Sequence, residues 1–280
     1  MSFLQFQDFL KYAGVFTTGL MWAYFLTPVM IWVAPKIGMV DTPDARRIHK
    51  KTTPRSGGLA VFIAFHLAVF FAFQFFWPNF KGGLNESWWL EFLLASSVLL
   101  VVGILDDIFS LKPVIKLLGQ ILAATLLFTL SGKGFGTLMG MELPFVVDLA
   151  LTVFWTVALI NAFNLIDGLD GLCSGLAIIS AVGLAGSFFI RGMHGDAMIL
   201  LGLIGAVAGF LRYNFYPAKI FLGDTGSMFI GFALASMSLN TGGKSTLLVT
   251  LGMPMLVAGV PVMDTILAIW RRSMRKLIAK

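Results

Sequence analysis

Charge is what this sequence lacks most. Of its 280 residues only 12% are Asp, Glu, Lys or Arg, about half the share carried by a soluble domain. So few charges cannot clothe a cytosolic globule in polar surface, and a disordered chain would be poorer in apolar residues. Cysteine is nearly absent: Cys173 stands alone, which excludes an internal disulfide and a secreted disulfide scaffold. Histidine is scarce too. His66 falls in an apolar run and His194 in a connection, and neither has a metal-ligating neighbour close in sequence. No basic cluster precedes an apolar run with a small-residue cleavage site, so no cleavable signal peptide is expected. No repeat of about 20–50 residues is visible.

What is present is apolar: 58% of the chain, with 27 Phe against 4 Tyr. The apolar residues fall into nine runs, roughly 12–34, 57–77, 89–105, 113–130, 145–163, 172–190, 197–212, 225–240 and 246–269. Each approaches the ~20 residues that a spanning helix needs. They are continuous rather than alternating, which argues against strands of a barrel. The expected fold class is all-α, a polytopic membrane bundle of about nine helices forming one catalytic unit over residues 1–280.

The few charges are sorted. Connections 35–56, 106–112, 164–171 and 213–224, the tail from 270 and the adjoining helix ends hold 15 of the 20 basic residues. The positive-inside rule places that set in the cytoplasm, with the N-terminus outside and the C-terminus inside. The net charge of +6 therefore reads as orientation, with no nucleic acid implied. Seven acidic residues lie on the same side: Asp41, Asp44, Asp106, Asp107, Asp167, Asp170 and Asp224. The orientation rule does not demand that, and it points to a site at one membrane face. Gly205 and Gly209 form a small-xxx-small pair, read as internal packing ahead of a dimer face.

Three segments carry the chemistry. Asp106-Asp107 closes the third run, and adjacent carboxylates at a membrane boundary repel and lose hydration unless a cation or a proton relieves them. Lys116, nine residues after Asp107, needs an anionic partner; the plainer reading is a solvated turn with a snorkelling lysine. In NAFNLIDGLDGL, Asn161, Asn164, Asp167 and Asp170 recur every three residues and are expected to share one side of a helix or tight turn. Hard oxygen donors suit magnesium and polar contacts with a sugar or nucleotide, against an interhelical hydrogen-bond cluster as the alternative. In YNFYPAKIFLGDTGS, Asn214, Lys219 and Asp224 precede a new apolar run. There Asp224 or Thr225 could simply cap the next helix, and Phe221 could be core or a platform for a base. The loop DTPDARRIHKKTTPRSGG, with Arg55 near its end, serves topology or recruits phosphates. Gly243-Lys244-Ser245 imitates a P-loop tail, but Ser238 stands where the first glycine belongs.

Taken in order at one face, these segments resemble the polyprenyl-phosphate N-acetylhexosamine-1-phosphate transferase family, over residues 41 to about 272. The resemblance implies transfer of a sugar-1-phosphate from a UDP-activated N-acetylhexosamine to undecaprenyl phosphate, at the cytoplasmic face of a bacterial inner membrane, with release of UMP. PRSGG at 54–58 and NLIDGLDGL look more like the GlcNAc-1-phosphate branch than the phospho-MurNAc-pentapeptide branch.

By the same resemblance Asp224 and Asn164 would hold Mg2+, with Mn2+ as a substitute. Asp106 and Asp107 would handle the lipid phosphate or the metal, with Asp167 beside them, and Lys116 would neutralise phosphate oxygens. Asn214, Asp170 and Phe221 would contact uridine. Asn161, Lys219 and Arg55 join the substrate-binding set. Asp106 is the candidate base, although a lipid phosphate is largely ionised near neutral pH, so orientation and metal contact account for it at least as well. Many relatives continue beyond a position like Arg271-Arg272 with a histidine-containing loop and further helices, so the expected unit lacks that loop. A homodimer is compatible with all of this. The competing readings are transfer of phospho-MurNAc-pentapeptide, a cation-coupled transporter and a noncatalytic scaffold. A transporter would place its charges near mid-membrane.

Overall fold

A computed structural model describes residues 3–42, 52–75, 84–138 and 140–240. They form eight helices: α1 (Phe3–Val33), α2 (Gly57–Phe75), α3 (Glu86–Phe109), α4 (Pro113–Ser131), α5 (Phe145–Ile166), α6 (Leu172–Ile190), α7 (His194–Asn214) and α8 (Gly223–Leu239). Two short antiparallel ribbons complete the order, β1 (Val40–Asp41) with β2 (Thr53–Pro54) and β3 (Thr137–Leu138) with β4 (Met141–Glu142). The chain is an all-helical polytopic membrane protein, because α1 to α7 are each long and apolar enough to cross a bilayer. Helices satisfy their own backbone groups where no water reaches. At 17 residues α8 is shorter. The ninth run, 246–269, lies outside the described residues, as do Arg46, Arg47, Lys50, Lys51 and the Gly243-Lys244-Ser245 segment.

The breaks between helices follow local chemistry. The Asn85 side chain accepts from Trp88 N at 2.9 Å and so caps α3. Pro113 opens α4, where its missing N–H costs nothing, and Gly132 ends it.

The shortest helix is the axle of the bundle. Every α8 residue from Gly223 to Ser238 is buried, and α5, α3 and α2 pack around it. Phe92 stacks on Phe232 at 5.2 Å and Phe65 meets Phe229 edge-on at 5.6 Å. His66 sits in this aromatic core, accepting from Trp89 Nε1 at 3.2 Å and paired with Ser96 Oγ at 3.4 Å, so it is a satisfied core residue. A second layer sets α7 against α1 and α6. A Cβ on Gly205 would overlap the carbonyl of Phe16, and one on Gly209 that of Leu20. The glycine pair therefore serves internal packing.

Candidate functional site

Helix ends from α2 to α8 meet at one end of the bundle, and a short backbone zipper sets the register of two of them. Phe221 N donates to Pro54 O at 2.8 Å, Gly57 N to Phe221 O at 3.0 Å, and Gly58 N to Leu222 O at 2.8 Å. The N-termini of α2 and α8 are thereby laid side by side. Arg55, held by its own N–H on Met39 O at 2.9 Å, reaches out of this zipper. Its guanidinium pairs with Asp224 Oδ2 and lies 3.4 Å from Asp107 Oδ1. Lys116, from the first turn of α4, bridges Asp106 Oδ2 at 3.1 Å and Asp224 Oδ1 at 3.0 Å. Both oxygens of Asp224 thus face a cation.

The adjacent aspartates of α3 point to different helices, since neighbouring helical side chains diverge by about 100°. Asp106 accepts from Leu111 N at 2.8 Å, fixing the turn into α4. Asp107 accepts from Asp224 N at 2.9 Å, Thr225 N at 3.1 Å and Thr225 Oγ1 at 2.7 Å. It therefore caps α8 from another helix. The expectation that Asp224 or Thr225 would cap α8 is corrected: the helix begins at Gly223, its cap position is Leu222, and no side chain of its own closes the first turn. Gly223 has φ +76°, and a Cβ there would lie 2.8 Å from an Asp107 oxygen.

The three-residue spacing of NAFNLIDGLDGL has a different outcome from a shared face. Asn161 and Asn164 lie on the last turns of α5, offset by about 60°, whereas Asp167 and Asp170 lie past its end at Ile166. Asn161 Nδ2 donates to Gln120 Oε1 on α4 at 2.6 Å. Asn164 Oδ1 accepts from Ser227 Oγ on α8 at 3.3 Å. Asp167, one residue past α5, looks into the carboxylate cluster. Its pKa is pushed up to about 7, chiefly by burial and further by the charges of Asp224 and Asp107, against the pull of Arg55. Asp170 accepts from Ala218 N at 2.9 Å and so pins the α7–α8 connection.

That connection is held from below as well. Buried Asn214 accepts from Ser174 Oγ at 3.0 Å and donates to Ile220 O at 3.0 Å. Its side chain is spent on framework contacts. Lys219 is exposed on the loop, and half-buried Phe221 sits in the zipper. Asp106, Asp107, Asp167, Asp224, Arg55 and Lys116 are thus brought together, with Asn164 adjoining through Ser227. Asn161, Asp170 and Asn214 frame them.

Four carboxylates face two cations, a formal surplus of negative charge, and the charges of Asp224 and Asp107 add to the burial that raises the Asp167 pKa. Among the described residues no group of three or more His, Cys, Asp or Glu converges as a ready metal cage. Asp224 and Asn164 offer oxygen donors, the kind a hard divalent ion takes, but both Asp224 oxygens are ion-paired with Arg55 and Lys116, so an ion bound there would displace one of these pairs.

A family model described as glycosyl transferase family 4 matches residues 89–242, which covers α3 to α8. The chain belongs to glycosyl transferase family 4. It is 36% identical over 273 residues to the Bacillus subtilis (strain 168) protein named "Probable undecaprenyl-phosphate N-acetylglucosaminyl 1-phosphate transferase", covering 93% of this chain and 72% of that one. It is 36% identical over 279 residues to the Mycobacterium tuberculosis (strain CDC 1551 / Oshkosh) decaprenyl-phosphate N-acetylglucosaminephosphotransferase, covering 89% and 68%. To the Desulforudis audaxviator (strain MP104C) phospho-N-acetylmuramoyl-pentapeptide-transferase it is 33% identical over 247 residues, covering 79% and 70%.

Within the glycosyl transferase family 4 segment lie all the site side chains except Arg55. Sequence reasoning missed Gln120, Ser174 and Ser227. Gln120 had a usable signal, since it is a polar residue four positions after Lys116 and so on the same face of α4. Ser227 closes the GDTGS stretch already singled out, whereas Ser174 had no signal, because serines are ordinary in membrane helices.

Proposed function

We propose that this protein transfers GlcNAc-1-phosphate from UDP-GlcNAc to undecaprenyl phosphate and releases UMP. The names of the most similar relatives support the reaction and the sugar. The observation that carries it is the cluster of Asp106, Asp107, Asp167 and Asp224 threaded by Arg55 and Lys116 at one end of an apolar bundle. A lipid phosphate and a nucleotide diphosphate meet only at a membrane boundary, and both bring negative charge that must be held.

The reaction is phosphoryl transfer, so placement and charge neutralisation dominate. An oxygen of the lipid phosphate attacks the phosphorus that bears the sugar. The bond from that phosphorus to the oxygen of UMP breaks, and UMP leaves with the electron pair. Lys116 and Arg55 are placed to neutralise the phosphate oxygens. Asp106 holds Lys116 in register and is the candidate base. Asp224 and Asn164 would hold Mg2+, or Mn2+ in its place. A bound Mg2+ supplies charge neutralisation on the diphosphate. Asp170, Asn214, Phe221 and Lys219 set or line the loop on which uridine would rest.

The charge pattern supports nine spans, with the N-terminus outside, the site end cytoplasmic and a bacterial plasma membrane as the setting. A second reading, transfer of phospho-MurNAc-pentapeptide, has weaker support in the relative at 33% identity. Purified protein incubated with undecaprenyl phosphate, Mg2+ and either UDP-GlcNAc or UDP-MurNAc-pentapeptide separates the two. UMP is expected with UDP-GlcNAc. UMP with the pentapeptide donor alone overturns the sugar assignment, and UMP with neither overturns the reaction.

A further inference from the structure

We infer that Asp107 is a positioning residue that works through α8, holding the first turn of that helix so that Asp224 faces the site. The inference rests on the sugar-phosphate transferase reading for its kinetic consequences, although its structural part stands apart from it.

The two aspartates of α3 are alike in sequence and unlike in commitment. Both oxygens of Asp107 are taken: Oδ1 by Asp224 N at 2.9 Å, and Oδ2 by Thr225 N at 3.1 Å and Thr225 Oγ1 at 2.7 Å. Its side chain is 0% exposed, while that of Arg55 beside it is 28% exposed. Asp106 instead turns to Lys116 and to its own connection. A ligand could reach Asp107 only by breaking the cap of α8.

The cap has no substitute. Leu222 stands where Ser, Thr, Asp or Asn would normally close the helix. The chain also makes room for the arrangement. Gly103 lies one turn before Asp107, and a Cβ on it would come 2.5 Å from Thr225 Cα. Gly223 admits the Asp107 carboxylate where any side chain would collide. The α3 backbone therefore meets the start of α8 flush, with the carboxylate inserted under its exposed N–H groups. Asp224 is bonded through its own N–H to that carboxylate, so the direction of its side chain depends on it.

A base or direct ligand would behave differently from a cap. Asp107→Asn keeps the shape but offers one acceptor oxygen, and its amide hydrogens face N–H donors. Thr225→Val removes one donor and leaves the Asp107 charge intact. With the purified full chain, amide exchange at Asp224 and Thr225 is expected to rise about tenfold in Asp107→Asn, as for loss of a helix cap, and to change little in Asp106→Asn. UMP release is expected to fall about tenfold or more in kcat, with the pH profile of the residual activity unchanged. Thr225→Val is expected to slow turnover in the same direction, Thr225→Ser to recover most of that loss, and Asp107→Asn combined with Thr225→Val to be no slower than Asp107→Asn alone.

Loss of the acidic limb of the pH profile in Asp107→Asn overturns the proposal, as do independent, multiplicative effects of the two substitutions. Unchanged amide exchange at residues 224 and 225 overturns it too. If Asp107→Asn does not fold, the Thr225→Val and Thr225→Ser pair decides. A Thr225→Val protein with wild-type turnover and exchange then contradicts the role. If wild type releases no UMP from any donor, the transferase reading fails, while the exchange measurement still decides the cap.

Discussion

The two ends of the bundle both carry buried carboxylates, and they treat them in opposite ways. Away from the site, Asp196 accepts from Leu84 N at 2.7 Å and Asn240 Nδ2 at 2.9 Å, and Lys133 reaches the same Asn240 at 3.0 Å. Asp148 accepts from Phe135 N, Gly136 N and Thr152 Oγ1. Each of these two carboxylates accepts from neutral donors of its own. At the site end four carboxylates crowd around two cations that they must share. A polar group that serves stability is satisfied within the fold, as at the far end. A cluster left with surplus negative charge is suited to a cation, which can in turn hold a phosphate.

That contrast can be broken by exchanging which end is damaged. Lys116→Gln is expected to lower turnover by about 10²-fold, as removal of one charge-stabilising group does, whereas Lys133→Gln is expected to stay within about twofold; steady-state UMP release for both reads it. Asp196→Ala strands a buried N–H and an amide, so it is expected to cost about 2 kcal/mol of stability, with turnover per folded molecule unchanged, as seen by thermal unfolding beside the assay. Gly223→Ala forces a side chain into left-handed backbone and onto Asp107, at about 1–2 kcal/mol for the backbone alone, and unlike Asp196→Ala it is expected to lose turnover as well.

The smallest effect is one of pH. Asp167 has its folded pKa raised from 3.8 to about 7, chiefly by burial. Below the lower value both folded and unfolded chains hold the proton and the stability contribution is complete. As pH rises towards the upper value the unfolded chain releases the proton first, so the folded state loses ground. Asp167→Asn escapes that loss, and its melting temperature relative to wild type is expected to climb between about pH 4 and pH 7.

Much of this was legible in the sequence, for identifiable reasons. Apolar runs of spanning length end where Pro113, Asn85 and the Gly-Asp segments stand, so eight of the nine expected helices appear where the runs lie. Lys116 was readable as a lysine in need of an anion, and it found two. The division of labour between Asp106 and Asp107 was not readable, because it is decided by which helix lies on each side of α3. The even spacing of Asn161, Asn164, Asp167 and Asp170 does not make one face, because α5 ends at Ile166 and the last two lie in the turn beyond it, so the four side chains serve four neighbours. The contacts of Asn214 with Ser174 and Ile220 were not readable either, because these partners reach it only in the folded bundle.

The central claim is that the crowded end performs phosphoryl transfer and depends on Asp224. UMP release from UDP-GlcNAc by purified protein with undecaprenyl phosphate, titrated with Mg2+ for wild type and for folded Asp224→Ala, tests it most directly. The account predicts Mg2+-dependent UMP from wild type and a loss of at least about 10³-fold in the variant. Equal UMP release from both proteins would contradict it.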